Sequence, residues 1–259
     1  GVPEKPGAVD AVVHSTGGLV IRDWLTTYAP GEAPVRRLLM LAPANFGSPI
    51  AHKGRAFYGR IIKGFNSEKP FQTGARLLRG LELASPYAWD LAMRDRFGAQ
   101  NHFGPGGVLC TVLTGNTGYD GIMAAANEDG SDGTVRAASA NLNCARLEVD
   151  FATDPLAPSF RLRQSVGATA FRLLDNDNHS TAAMKDRGPR DPAGREAITR
   201  ALTVREADFA EWCEECAGAT AEITARGERE NKPDKYGYQN TVTRVTDDAG
   251  QAVRDYFLE

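Results

Sequence analysis

The sequence predicts an α/β fold in which helices connect the strands of a mostly parallel sheet. Four short apolar runs along the 259-residue chain are typical of buried strands, at residues 9–14, 37–42, 108–114 and 168–174. The stretches between these runs are long enough for helices, which parallel strands need as crossover connections. The 42% hydrophobic and 24% charged residues agree with a globular protein that can bury an active site.

Composition also excludes several classes of protein. A net charge of -3 gives no basic surface for bulk nucleic-acid binding. The longest apolar run, residues 38–44, is far short of the roughly 20 residues of a membrane-spanning helix, so no transmembrane segment is expected. Four cysteines are too few for a disulfide-built scaffold. Cys213 and Cys216 form a C-x-x-C pair, which we interpret as small buried side chains rather than a redox or zinc site.

Two long segments add helices to this sheet. Residues 50–104 exceed the length of one crossover and carry apolar residues at helical spacing, so we expect an inserted cap of short amphipathic helices. Residues 185–235 predict a long surface helix with one apolar face. The residues of that face are Phe209, Trp212, Cys216 and Ile223.

The two ends of the sequence predict the domain organisation. The chain starts with Gly1 and enters its first predicted strand within ten residues, so the sheet is expected to lack its N-terminal strands. Near the other end, strand-like runs at 241–246 and 253–258 flank a turn and predict the start of a β unit. The predicted parts are a main domain over residues 1–226, a linker over 227–237 and the C-terminal β unit over 238–259.

The most informative motif surrounds Ser15. An apolar strand-like run ends at His14, Ser15 stands at the turn, and Gly17 and Gly18 open a helical pattern. A serine at such a turn is held on a strained backbone above the sheet edge, and the glycines let helix and strand approach closely. The motif resembles the nucleophile elbow of the α/β-hydrolase superfamily. It departs from that family's pattern at Val13, where glycine or another small residue is usual.

A serine nucleophile requires a base, and the chain has four histidines. His14 adjoins Ser15, so we expect its side chain to point away from Ser15 and to pack under the turn. His52 and His102 bracket the predicted cap, where surface or lid positions are expected. His179 follows the last predicted strand in a polar loop, and active sites of open α/β sheets lie at such strand ends. We therefore predict His179 as the base.

In the hydrolase family the acid lies between the serine and the histidine along the chain. The best candidate is Asp132, in the segment Ser-Asp-Gly-Thr-Val over residues 131–135, which resembles the acid loop of many lipases and esterases. Asp120 and Asp129 lie in the same region, and either could take its place.

Residues 39–49 resemble the strand and loop that many lipases place after the elbow helix. The resemblance covers roughly residues 9–181, with gaps. It is to bacterial lipases and esterases of the triacylglycerol lipase and lecithin:cholesterol acyltransferase-like kind. It implies an α/β-hydrolase-like fold in which the insert at 50–104 forms a lid over an acyl-binding cleft, although a packed helical cap explains the insert's apolar content equally well. These apolar residues are Phe57, Tyr58, Ile61, Ile62, Phe65, Phe71, Tyr87 and Trp89.

The resemblance implies serine-dependent hydrolysis of carboxylic esters through an acyl-enzyme intermediate. Ser15 would attack the ester carbonyl, His179 would relay the proton and Asp132 would orient His179. The Thr16 N–H would supply half of the oxyanion hole, and an upstream loop the other half. No metal and no organic cofactor is expected, and the expected partner is a small-molecule ester or a lipid. The alternatives are an acyltransferase with the same triad and a catalytically silent, hydrolase-like interaction module. Oligomeric state and compartment, cytoplasmic or secreted, stay open.

Overall fold

The computed structural model describes residues 5–28, 33–50, 79–253 and 256. The strands are β1 (Val9–His14), β2 (Val35–Leu41), β3 (Leu109–Gly115), β4 (Ala145–Asp150), β5 (Ser159–Gln164) and β6 (Ala170–Leu174). The α-helices are α1 (Gly17–Thr27), α2 (Pro86–Asp95), α3 (Ala137–Ala140), α4 (Gly194–Thr203) and α5 (Phe209–Arg229). Short 3₁₀ helices cover Gly121–Ala126, Glu206–Asp208 and Pro233–Lys235.

Within the described residues, the main sheet has four strands in the order β1-β2-β3-β6, and all neighbouring strands are parallel. The predicted strands agree with the observed ones to within two residues at each end, so the mostly parallel sheet is confirmed. Because the strands are parallel, the loops that follow all four leave the sheet at the same edge. Ser15 follows β1 and His179 follows β6, so this edge carries the candidate site.

Alternate residues of the buried strands face two hydrophobic layers. Leu38 and Met40 of β2 belong to a core that includes α1 and α2, whereas Leu39 and Leu41 belong to a second core that includes α4 and α5. Helices therefore cover both faces of the sheet, which is why the strands read as continuous apolar runs in the sequence.

The single long helix predicted within residues 185–235 is wrong in one respect, because the structure divides this segment into α4 and α5. The backbone turns extended at Val204, which ends α4. The predicted apolar face does lie on α5, where Phe209, Trp212 and Cys216 are buried. The indole N–H of Trp212 also donates a 2.9 Å hydrogen bond to Thr111 Oγ1 of β3.

Only part of the predicted cap lies in the described residues, because residues 51–78 fall outside them. The part that is described contains α2. Ser85 caps its N-terminus by accepting a hydrogen bond from the Ala88 N–H, and Pro86 occupies its first position. The lid therefore stays a prediction.

A β-hairpin formed by β4 and β5 was not predicted from the sequence. Leu147 pairs with Leu162 and Val149 pairs with Phe160, so these four apolar side chains share one face, and all four are exposed. The charged residues alternate onto the other face. The hairpin thus presents an apolar surface outward, the reverse of the usual arrangement.

The predicted strands near the C-terminus are not formed in the part of the chain that the structure describes. Residues 241–245 have no regular structure, and one antiparallel bridge joins Thr246 to Ala252 around a tight turn. Most of the predicted run at 253–258 lies outside the described residues. An isolated hairpin has little stability without a neighbouring strand, so the C-terminal β unit stays a prediction.

Candidate active site

Ser15 occupies a sharp turn between β1 and α1. Its φ angle is 56°, a left-handed conformation that costs energy for a residue with a side chain. Backbone hydrogen bonds hold the turn, because the Ser15 N–H donates to the Leu41 carbonyl and the Ser15 carbonyl accepts from Ala44 and Gly18. The neighbouring strand thus fixes the serine on a strained backbone at the sheet edge.

The glycines after Ser15 are required by close packing. A Cβ atom at Gly18 would stand 2.8 Å from Cβ of Pro43, and one at Gly17 would stand 3.1 Å from Cβ of Val13. The departure from the family pattern at Val13 is therefore accommodated, since the helix residue opposite this valine has no side chain.

His179 lies between Ser15 and Asp132. Its Nε2 is 3.0 Å from Ser15 Oγ, and its Nδ1 is 2.9 Å from Asp132 Oδ2. The backbone also joins the two loops, because the His179 N–H donates to the Asp132 carbonyl at 2.9 Å. Asp132 is fully buried and His179 is 3% exposed. The three residues predicted from the sequence are thus brought together in a continuous hydrogen-bonded chain.

The structure separates Asp132 from the two alternative acids. Asp132 Oδ1 accepts hydrogen bonds from the N–H groups of Thr134 (2.9 Å) and Val135 (2.7 Å), which leaves Oδ2 for His179. Asp120 and Asp129 are exposed. A buried carboxylate held by two backbone donors can fix the orientation of an imidazole, whereas a solvated surface carboxylate cannot.

A second buried carboxylate shapes the histidine loop. Asp177 accepts hydrogen bonds from the N–H groups of Arg190 (2.8 Å) and Asp191 (2.9 Å), and its carbonyl accepts from the Thr117 N–H at 3.0 Å. These contacts join the loop that carries His179 to the loop after β3 and to the chain before α4. The sequence analysis missed this role of Asp177.

The other histidines have different environments. His102 is buried before β3, at the edge of the sheet opposite to Ser15, and burial lowers its pKa. His52 lies outside the described residues. His14 does not simply pack under the turn, because its ring lies 4.7 Å from the ring of His179. Its Nε2 stands 3.1 Å from the His179 carbonyl, to which the protonated nitrogen donates.

His14 is kept neutral beside the candidate base. Burial, and secondly the nearby ring of His179, lowers the pKa of His14 to about 4. Lys185 acts in the same direction, while the hydrogen bond to the His179 carbonyl and the charge of Asp132 oppose the shift. At neutral pH the site therefore holds an uncharged imidazole next to His179, which spares it a second positive charge when His179 accepts a proton.

Thr16 occupies the N-cap position of α1, and its carbonyl accepts hydrogen bonds from Leu19 and Val20. Its N–H lies at the start of the helix, where backbone donors and the helix dipole favour negative charge. This position suits the stabilisation of an oxyanion formed at Ser15.

An ion pair of α1 and α2 lies behind the elbow. Arg22 Nε and Nη2 contact the two carboxylate oxygens of Asp95 at 2.6 and 3.0 Å, and Arg22 Nη1 donates to the Asn45 carbonyl. Arg22 and Asp95 are both fully buried. The pair thus joins the elbow helix to α2 and to the loop after β2.

The four cysteines are free thiols. Burial raises the pKa of Cys110 and of Cys216 to about 12, and that of Cys213 to about 11, which disfavours the reactive thiolate. Among the described residues, no three His, Cys, Asp or Glu side chains gather as a metal site would require. No helix in the described ranges is long and apolar enough to span a membrane.

Comparison with known proteins gives structural relatives only. No protein-family model matches the sequence, and no curated protein matches it. Phospholipase PlaB from Legionella pneumophila is a similar solved structure, with 27% identity and a TM-score of 0.67 over 83% of this chain and 48% of that chain. Its structure in complex with thio-NAD has 24% identity and a TM-score of 0.69 over 93% of this chain and 53% of that chain.

The chain thus spans about half the length of these solved structures. The likeness agrees with the α/β fold and supports a lipase- or esterase-like family, as predicted from the elbow motif. The relationship to triacylglycerol lipases and to lecithin:cholesterol acyltransferase-like enzymes in particular stays a prediction.

Proposed function

We propose that the protein is a serine hydrolase that cleaves the ester bonds of lipids through an acyl-enzyme intermediate. The observation that carries this proposal is the hydrogen-bonded chain from Asp132 through His179 to Ser15, with Ser15 on a strained turn at a helix N-terminus. Hydrogen-bond distances at both contacts favour an enzyme over a catalytically silent module.

The first half of the reaction forms the acyl-enzyme. His179 carries its proton on Nδ1, which donates to Asp132, so Nε2 is free to accept the Ser15 hydroxyl proton as Oγ attacks the ester carbonyl. The Thr16 N–H stabilises the oxyanion of the tetrahedral intermediate. The imidazolium of His179 then gives its proton to the leaving alcohol, and the acyl group stays on Ser15.

The second half reverses these roles with water. His179 takes a proton from a water molecule, whose oxygen attacks the acyl carbonyl, and the proton returns to Ser15 Oγ as the carboxylic acid leaves. Neutral His14 lets the positive charge of each half-reaction reside on His179 alone. None of these steps requires a metal or an organic cofactor.

A lipid substrate is supported by the likeness to a phospholipase. We therefore expect the protein to release fatty acid from phosphatidylcholine vesicles. On p-nitrophenyl esters, each CH₂ buried in an acyl cleft contributes about 0.8 kcal/mol, so kcat/KM should rise about fourfold per carbon from acetyl toward medium chains. Activity that is greatest on acetyl esters and falls with chain length would instead indicate a small-ester esterase.

The role of Ser15 is tested by Ser15→Ala. The variant should lose at least about 10³ of ester hydrolysis while keeping its melting temperature, and a fluorophosphonate probe should no longer label it. Ser159→Ala, on the exposed hairpin, is the matched control and should behave like the wild type. Persistent labelling of Ser15→Ala would exclude Ser15 as the nucleophile.

A further inference from the structure

Residues 233–238, here called the C-terminal clamp, return from the end of α5 to the sheet edge that carries the candidate site. They begin with the 3₁₀ helix Pro233–Lys235. The clamp contacts two separate loops, the acid loop that leads to Asp132 and the histidine loop that leads to His179. Neither contact was predicted from the sequence, which indicated only a linker at residues 227–237.

The contact with the acid loop is made at Gly130, two residues before Asp132. The Gly130 N–H donates a 2.9 Å hydrogen bond to the Asp234 carbonyl. The ring of Tyr238 lies against the same glycine, since a Cβ atom there would stand 2.3 Å from Tyr238 Cδ2. Tyr238 is itself fixed, because its hydroxyl donates to the Pro233 carbonyl at 2.9 Å.

The contact with the histidine loop is made by Lys235. Its ammonium group donates to Asp175 Oδ1 at 2.8 Å and to Asn176 Oδ1 at 2.5 Å. These residues stand four and three positions before His179. The ion pair is well shielded, with the Lys235 side chain 12% exposed and that of Asp175 15% exposed.

Asp175 is a charged anchor for this contact. Burial alone would raise its pKa, but hydrogen bonds from Lys235 and Asn116 and the charges of Lys235 and Arg226 outweigh burial, so the pKa of Asp175 is lowered. Arg226 of α5 donates to the other carboxylate oxygen at 2.6 Å. The carboxylate thus ties the histidine loop to both α5 and the clamp.

We propose that the C-terminal clamp holds the acid loop and the histidine loop in catalytic register, with Lys235 as a positioning residue for the Asp132–His179 pair. The inference rests on the proposed function. Asp132 and His179 sit on loops 47 residues apart in the chain, so their hydrogen bond depends on how these loops are placed. A displacement of about 1 Å in such a site can cost about 10² in rate.

The test is Lys235→Met, which keeps the side chain's length and removes its ammonium group. We expect kcat for ester hydrolysis to fall about tenfold to a hundredfold, with KM and melting temperature nearly unchanged. The rate of Ser15 labelling by a fluorophosphonate should fall in parallel. Lys235→Arg keeps the charge and should restore most of both rates.

Two further variants complete the design. Lys232→Met is the matched control, since Lys232 lies three residues earlier on the surface and its ammonium group pairs with Glu230; its kcat should equal that of the wild type. Tyr238→Ala removes the ring from Gly130 and should lower kcat through the acid loop without involving Lys235.

The outcomes separate the two proposals. A wild type that does not label at Ser15 refutes the proposed function and the clamp with it. A wild type that labels, together with Lys235→Met that labels equally fast, refutes the clamp alone. Loss of kcat that merely follows the loss of folded protein in circular dichroism also refutes it, because the role would then be structural.

Discussion

The hydrogen bonds around Asp132 determine what an asparagine would do in its place. Oδ1 accepts two backbone N–H donors, from Thr134 and Val135, while Oδ2 faces His179 Nδ1. In Asp132→Asn the amide oxygen must stay toward the two N–H groups. Turning the NH₂ group there would leave both donors unpaired in a buried site, at a cost of about 1–3 kcal/mol each. The NH₂ group is therefore forced toward His179.

This orientation favours the wrong histidine tautomer. An amide N–H facing Nδ1 favours the form of His179 that carries its proton on Nε2, which cannot accept the proton of Ser15. The corresponding change in a serine protease triad costs about 10⁴ in kcat, which is about 5.4 kcal/mol of activation free energy. We expect a loss of the same order here, with little change in stability, because the side chain's shape is retained.

The assay is steady-state hydrolysis of a p-nitrophenyl ester, with thermal unfolding followed by circular dichroism. Asp129→Asn and Asp120→Asn are the controls, and both should stay within about twofold of the wild type because these side chains are exposed. If Asp132→Asn kept more than a tenth of wild-type kcat, or if Asp129→Asn were the crippling change, the assignment of the acid would be wrong.

Two more predictions concern stability. Asp95→Ala leaves the Arg22 charge buried without its partner and should destabilise the protein by about 3–5 kcal/mol, whereas Asp23→Ala, which breaks the more exposed pair of the same two helices with Arg94, should cost at most about 1 kcal/mol. Similar losses for both in urea unfolding would contradict this reasoning. His14 has a pKa of about 4 when folded and 6.5 when unfolded, so the unfolded chain binds a proton that the folded protein does not. As the pH falls from 6.5 to 4, stability should therefore decrease by up to about 3 kcal/mol, and His14→Gln should weaken this dependence. An unchanged dependence in that variant would show that other groups cause it.

The sequence by itself determined the parts of the molecule that depend on local pattern. The strands β1, β2, β3 and β6 are buried on both faces, so their apolar runs stand out from the surrounding sequence. Ser15 could be singled out because a strand, a serine and a glycine pair follow one another within a few residues. The apolar face of α5 appears at helical spacing for the same reason.

The hairpin of β4 and β5 escaped this kind of reasoning. Its apolar residues, such as Leu147 and Phe160, are exposed, so they form no buried run of the kind that marks the main sheet. The division of residues 185–235 into α4 and α5 was also missed, because the stripe of α5 was read as belonging to the whole segment.

Only the tertiary structure decided which side chains meet. Asp132, Asp129 and Asp120 lie in one polar stretch of sequence, and burial against two backbone donors distinguishes Asp132. The Arg22–Asp95 pair spans 73 residues, and the contact from Lys235 to Asp175 spans 60. These distances close because parallel strands deliver their loops to one edge of the sheet and because α5 carries the chain back to that edge. Such contacts depend on the path of the whole chain rather than on the residues adjacent to each group.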